Sequence, residues 1–104
     1  MLNTLKNALG FGPKVDYKEL VKKGAQIVDV RTHSEYASGH VKGSVNIPLN
    51  ELSSQVNKIK KNVPIITCCA SGMRSASAKS KLSALGFKEV HNGGGWMSLN
   101  RKVS

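Results

Sequence analysis

Val63-Pro64-Ile65-Ile66-Thr67-Cys68-Cys69-Ala70-Ser71-Gly72-Met73-Arg74-Ser75 opens the stretch that decides the fold, and residues 76–85 continue it with Ala, Ser, Lys and Leu. The apolar run after a proline reads as a buried strand, and a tight loop follows it. Ala78, Leu82 and Leu85, spaced i, i+4, i+7, then predict the apolar face of a helix that Gly86 closes. A cysteine at the end of such a strand lies where the free N–H groups and the positive dipole end of the next helix converge. That setting favours the thiolate, the reactive form of cysteine. Arg74, at the far end of the loop, adds a permanent charge and a donor fork suited to an oxyanion.

Upstream of this stretch, Asp16 and Glu19 have capping-box spacing for a helix through Leu20 and Val21 that ends at Gly24. A strand from Gln26 to Val30 delivers Asp29 and Arg31 at its C-terminal end, where open α/β sheets gather their sites. Opposite charges two residues apart at a strand end suit a structural role in fixing the turn. Thr32 and Glu35 repeat the capping-box spacing ahead of one or two helical turns over residues 33–38, which Gly39 stops. Val45 to Ile47 predicts a short strand ended by Pro48. Asn50 is placed to cap a helix with Leu52, Val56 and Ile59 on one face and Lys58, Lys60 and Lys61 toward its C-terminus.

Downstream, Lys88 to His91 reads as a last short strand, Asn92 to Gly95 as a flexible turn and Trp96 to Val103 as a terminal helix. The Gly93-Gly94-Gly95 run lacks the Lys-Ser/Thr pair of a nucleotide-binding loop, so a plain turn is the reading. At the other end, Leu2, Leu5 and Leu9 have helical spacing before the breaker Gly10-Phe11-Gly12-Pro13. The chain therefore divides into a short amphipathic segment and linker, 1–14, and one domain, 15–104.

At 104 residues the chain has room for one sheet and a few helices. The net charge of +10 comes from lysines spread through the sequence, which reads as a solvated surface whose field draws in small anions. Aromatic residues are too few and scattered for nucleic-acid stacking platforms. Neighbouring Cys68 and Cys69 do not make a disulfide framework, no apolar run approaches a membrane span, and no signal peptide is evident. These features predict a reduced, cytoplasmic protein. Three scattered histidines away from the cysteines give no metal-ligand spacing, so no metal or organic cofactor is expected.

Cys69-Ala70-Ser71-Gly72-Met73-Arg74-Ser75 resembles the active-site loop of the rhodanese (thiosulfate sulfurtransferase) family, in which a cysteine opens a six-residue loop often ending in Arg. Ile27-Val28-Asp29-Val30-Arg31 through Glu35, followed by Gly39-His40-Val41-Lys42-Gly43-Ser44-Val45-Asn46-Ile47-Pro48, resembles the family's second signature. The two motifs occur in the family's order and cover most of residues 15–99. The resemblance implies an α/β rhodanese-like three-layer fold, with a central, mostly parallel sheet flanked by helices. It also implies sulfur transfer through a Cys69 persulfide, with Ala70, Ser71, Gly72, Met73, Arg74 and Ser75 binding substrate or oxyanion and Asp29, Arg31 and His40 in support. The donor would be thiosulfate or a persulfide, and the acceptor cyanide, a small thiol or a protein thiol. The family's Gly-Gly-x-x-Trp is altered here, because Trp96 follows the glycines at once.

Two alternatives stay open. Counted from Cys68, five residues precede Arg74, the Cys-x5-Arg spacing of cysteine phosphatases. Ser71-Gly72-Met73-Arg74-Ser75 is in the rhodanese register with Cys69, and neighbouring strand residues point oppositely, so one cysteine alone can face the loop. Cys68 then reads as a small buried strand residue. The second alternative is a non-catalytic persulfide carrier or regulatory binding module. His40 is expected to be a buried imidazole with a structural hydrogen bond.

Overall fold

The computed structural model describes residues 15–104; the segment expected over residues 1–14 lies outside them. The described chain is an α/β fold: a four-stranded, all-parallel sheet of order β2-β1-β3-β4 with helices on both faces. In chain order the elements are α1 (Tyr17–Lys22), β1 (Gln26–Asp29), α2 (His33–Ala37), β2 (Val45–Asn46), β3 (Ile65–Cys69), α3 (Met73–Ala84), β4 (Val90–Gly95) and α4 (Trp96–Val103).

The alternation of β3 builds both cores. Ile65 and Cys69 face one layer with Val28, Val30, Ile47, Leu52, Ile59, Ala78, Leu82 and Phe87. Ile66 and Cys68 face the other with Ile27, Val41 and Leu99, against which Tyr17, Leu20, Val21 and Trp96 pack. Consecutive side chains on a strand project to opposite faces, so the two cysteines are separated by the sheet itself. All five residues of β3 are buried, as befits the inner strand of a parallel sheet covered on both sides.

Several local expectations shift. The buried face of α3 is Ser75, Ala78 and Leu82, while Leu85 is 48% exposed at the helix end. The helix expected after Asn50 is instead two 3-10 turns, Leu49–Glu51 and Val56–Lys58, the first capped by Pro48 with no side-chain bond from Asn50. Ser53, Ser54 and Gln55 interrupt it: the Ser54 hydroxyl donates to Glu51 O at 3.0 Å, an alternative to helical pairing. At α1 half of the expected capping box forms, Asp16 accepting from the Glu19 N–H, while the Glu19 carboxylate reaches Lys23 at 3.7 Å. The box at α2 is complete.

The last strand is Val90–Gly95 and not Lys88–His91 with a turn behind it. Gly93 and Gly95 of β4 are close-packed strand, while Gly94 between them takes a left-handed φ of +80° in open space. A Cβ at Gly93 would lie 2.8 Å from both Ile66 Cγ2 and Thr67 O and 3.0 Å from Leu99 Cδ2. A Cβ at Gly95 would lie 2.9 Å from Ala70 O, so the loop after β3 closes onto bare backbone. Gly93→Ala is therefore expected to cost about 2–3 kcal/mol by overpacking between β3 and α4. Urea unfolding measures it, and a loss below half a kcal/mol, on the order of a tolerated surface change, would contradict this packing.

Candidate active site

The sheet's C-terminal edge gathers the site. β3 ends in Cys69, residues 70–72 turn, and α3 begins with its N-terminus directed back at the strand end. Gly72 makes the turn possible: it caps α3 at φ +108°, a left-handed conformation that suits glycine. The Gly72 N–H donates to Cys69 Sγ at 2.9 Å, and the sulfur lies 3.4 Å from Ser75 Oγ. Cys69 is 1% exposed, sunk beneath a rim whose Ala70 and Ser71 are exposed. Burial alone would push its thiol up. Hydrogen bonding from the Ser75 hydroxyl and from the Ser75, Gly72 and Ser71 N–H groups outweighs burial and holds it below its ordinary value.

Cys68 is in the opposite condition. It is fully buried in the other layer, and burial, followed by the charge of Asp29, raises its thiol far above the usual range. A cysteine held protonated on the far side of the sheet is not placed to serve a Cys-x5-Arg cradle.

The other sequence-derived residues divide by what they touch. Ser71, Gly72 and Ser75 converge on the sulfur, whereas the Met73 side chain is 82% exposed. Arg74 turns its fork to Glu35, with Nη1 2.7 Å from Oε1 and Nη2 3.0 Å from Oε2, thereby tying the start of α3 to α2. Asp29 and Arg31 form a buried pair. Arg31 Nη2 reaches Asp29 Oδ2 at 2.7 Å, and Nε reaches Oδ1 at 3.0 Å. The same guanidinium donates to Glu35 O at 3.2 Å and Gly39 O at 2.7 Å and lies 4.8 Å from the Trp96 ring centre. Trp96 thus covers the turn at Gly39, where a Cβ would meet its ring at 2.9 Å. His40 is exposed, correcting the expectation of a buried imidazole: it stacks on Tyr36 at 3.7 Å, with Nδ1 2.8 Å from Tyr36 O.

The hydrogen bond from Arg74, then the backbone of Thr32, lower the Glu35 carboxyl from 4.5 to about 2. A depressed carboxyl stabilises the fold fully above its unfolded value and loses that contribution as pH falls toward its folded value. Glu35→Gln, at a pair about one-third exposed, is expected to cost about 1 kcal/mol or less at pH 6. That difference from wild type should shrink between pH 4.5 and about 2. Unfolding of both proteins at pH 6 and pH 3 tests it; a constant difference would remove the pair as its cause.

Sequence reading missed Asn92. Its Oδ1 lies 2.6 Å from Ser75 Oγ and its Nδ2 3.3 Å from Gly72 O, joining β4 to the loop. Its position before the glycine run, in an expected turn, gave no sign of this contact. Among the described residues no cluster of three His, Cys, Asp or Glu side chains is arranged to hold a metal, and no helix is long and apolar enough to cross a membrane.

Comparison with known proteins bears on the family and the fold. The profile of the rhodanese-like domain matches residues 14–102. The thiosulfate sulfurtransferase PspE of Escherichia coli (strain K12) is 37% identical over 70 residues, covering 65% of this chain and 67% of PspE. The putative sulfur carrier protein YrkF of Bacillus subtilis (strain 168) is 39% identical over 82 residues, covering 79% of this chain and 42% of YrkF. The chain thus spans about two-fifths to two-thirds of the length of such relatives. A solved structure of a rhodanese with anions from E. coli superposes with TM-score 0.68 at 34% identity, covering 72% of this chain and 91% of that one. Profile, relatives and superposed structure agree, and the chain belongs to the rhodanese-like domain family, with sulfurtransferases among its relatives.

Proposed function

We propose that this protein transfers a sulfane sulfur from thiosulfate or a persulfide donor to a thiophilic acceptor through a persulfide on Cys69. The observation that carries the reading is the sulfur's position at the N-terminus of α3, 2.9 Å from the Gly72 N–H, with its thiol lowered by loop donors. In the first step the Cys69 thiolate attacks the outer sulfur of thiosulfate. A new S–S bond forms, the donor's S–S bond breaks, and its electron pair departs with sulfite. The terminal sulfur now carries the negative charge, and the N–H groups of Ser71, Gly72 and Ser75 that favoured the thiolate are placed to stabilise it. In the second step cyanide, a small thiol or a protein thiolate bonds to the terminal sulfur. The Cys69 S–S bond breaks and returns its electron pair to Cys69.

A thiol buried beneath an exposed loop suits a donor that presents one atom at its tip. Arg74, already bonded to Glu35, serves this scheme by holding the loop and contributing positive charge near the departing oxyanion. Cytoplasmic location belongs to the same proposal.

Intact mass and peptide mapping after brief exposure to thiosulfate, and separately to a persulfide donor, test it. One added sulfur on the Cys69 peptide, released by cyanide, is the expected result. Uptake from a persulfide donor alone would recast the protein as a carrier with a protein donor, and uptake from neither would sink the scheme.

A further inference from the structure

Ser75 is fully buried in the first turn of α3 and has one hydroxyl hydrogen to donate. Three acceptors surround it: Asn92 Oδ1 at 2.6 Å, Gly72 O at 3.1 Å and the Cys69 sulfur at 3.4 Å. The shortest contact matches a strong O–H···O bond. While Cys69 is a thiol, the hydrogen therefore rests on Asn92, and Ser75 Oγ turns a lone pair toward the S–H. The Asn92 amide has no freedom to reverse. Gly94 N–H, a donor, faces its Oδ1 at 3.0 Å, and Gly72 O, an acceptor, faces its Nδ2 at 3.3 Å.

Ionisation of Cys69 removes the S–H and creates an anion in need of donors. The Ser75 hydrogen then swings from Asn92 to sulfur. Asn92 Oδ1 keeps the Gly94 N–H, so the exchange leaves no buried polar atom without a partner. We propose that Asn92 is a positioning residue that holds the Ser75 hydroxyl hydrogen while Cys69 is a thiol and yields it to sulfur in the anionic states. The persulfide half of this role rests on the sulfur-transfer reading; the thiolate half does not.

The titratable and charged groups around Cys69 are Cys68 on β3, the Asp29–Arg31 pair at the end of β1, and Arg74 on α3, held by Glu35 from α2. From β4 the neutral Asn92 meets Ser75, while neighbouring His91 pairs with Glu89 and stands edge-on to Tyr17. Asn92 is thus the contact from β4 that reaches the sulfur through the hydroxyl.

The test is the pH dependence of iodoacetamide labelling, with peptide mapping to separate Cys69 from Cys68, in wild type, Asn92→Ala and Asn92→Asp, each also in a Ser75→Ala background. Removing the competing acceptor in Asn92→Ala is expected to move the labelling midpoint to lower pH, raising the thiolate population at a fixed pH below the midpoint by about three- to tenfold. Asn92→Asp, isosteric but negatively charged, is expected to move it higher. Without the Ser75 hydroxyl the Asn92→Ala shift should vanish and the Asn92→Asp shift should shrink.

An unmoved or raised midpoint in Asn92→Ala, or a shift that persists in Ser75→Ala, overturns the proposal and leaves Asn92 as a loop support. Should Asn92→Ala fail to fold, the Asn92→Asp pair decides: equal shifts in both backgrounds overturn the proposal, and a smaller shift without Ser75 supports it. Labelling requires no sulfur donor, so failure of the wild type to accept sulfur counts against the proposed function alone.

Discussion

Cys69→Ser is expected to abolish persulfide formation and lower sulfur transfer by on the order of a thousandfold or more, because an alcohol under the same donors gives no comparable nucleophile. Cys68→Ser is expected to retain transfer within about threefold of wild type. Cys68 is fully buried in the opposite layer, paired with Asp29 across the parallel ladder, so a serine there stays away from the loop. Steady-state transfer from thiosulfate to cyanide, with the sulfur-labelled peptide identified, separates the two cysteines. If Cys68→Ser were the inactive variant and Cys69→Ser the active one, the nucleophile would be misassigned and a phosphate-ester assay would follow.

Arg31→Met is expected to destabilise the fold by about 3–5 kcal/mol, since it leaves the carboxylate of Asp29 buried without its partner. That loss is a large part of the stability of an ordinary domain. The same change removes the donors to Glu35 O and Gly39 O and the cation under Trp96, so the turn at Gly39 and the end of α2 should loosen with it. Urea unfolding measures the loss, and the double variant Asp29→Asn/Arg31→Met separates its causes. If the unpaired charge dominates, the double variant recovers part of the stability. No recovery would place the cost in the lost bonds to Glu35 and Gly39.

Much of this was legible in the chain because it depends on neighbours in sequence. The apolar run before Cys69, the glycine after it and the Ala-Lys-Leu pattern that follows specify strand, turn and helix locally. Alternation along β3 was enough to place Cys68 and Cys69 on opposite faces. The Thr32–Glu35 capping box formed as read, and Asp29 and Arg31, two residues apart, met at the strand end.

The misreadings share a different cause. Asn92 to Gly95 looks like a turn by composition, yet parallel pairing of β4 with β3 and the close approach of Leu99 and Ala70 make bare backbone in a strand the solution there. The segment after Asn50 has apolar residues at helical spacing. Ser54 bonds locally, and burial of Leu52 and Ile59 is met by two short turns.

The sequence by itself determined the order of elements, the place of Cys69 between a strand and a helix N-terminus, and the membership of a family whose motifs are local runs of residues. Tertiary structure alone decided what those residues touch. It gave Arg74 to Glu35 across 39 positions and Ser75 to Asn92 across 17, because hydrogen-bond partners are chosen by distance and direction in the folded sheet, and a one-dimensional pattern carries neither.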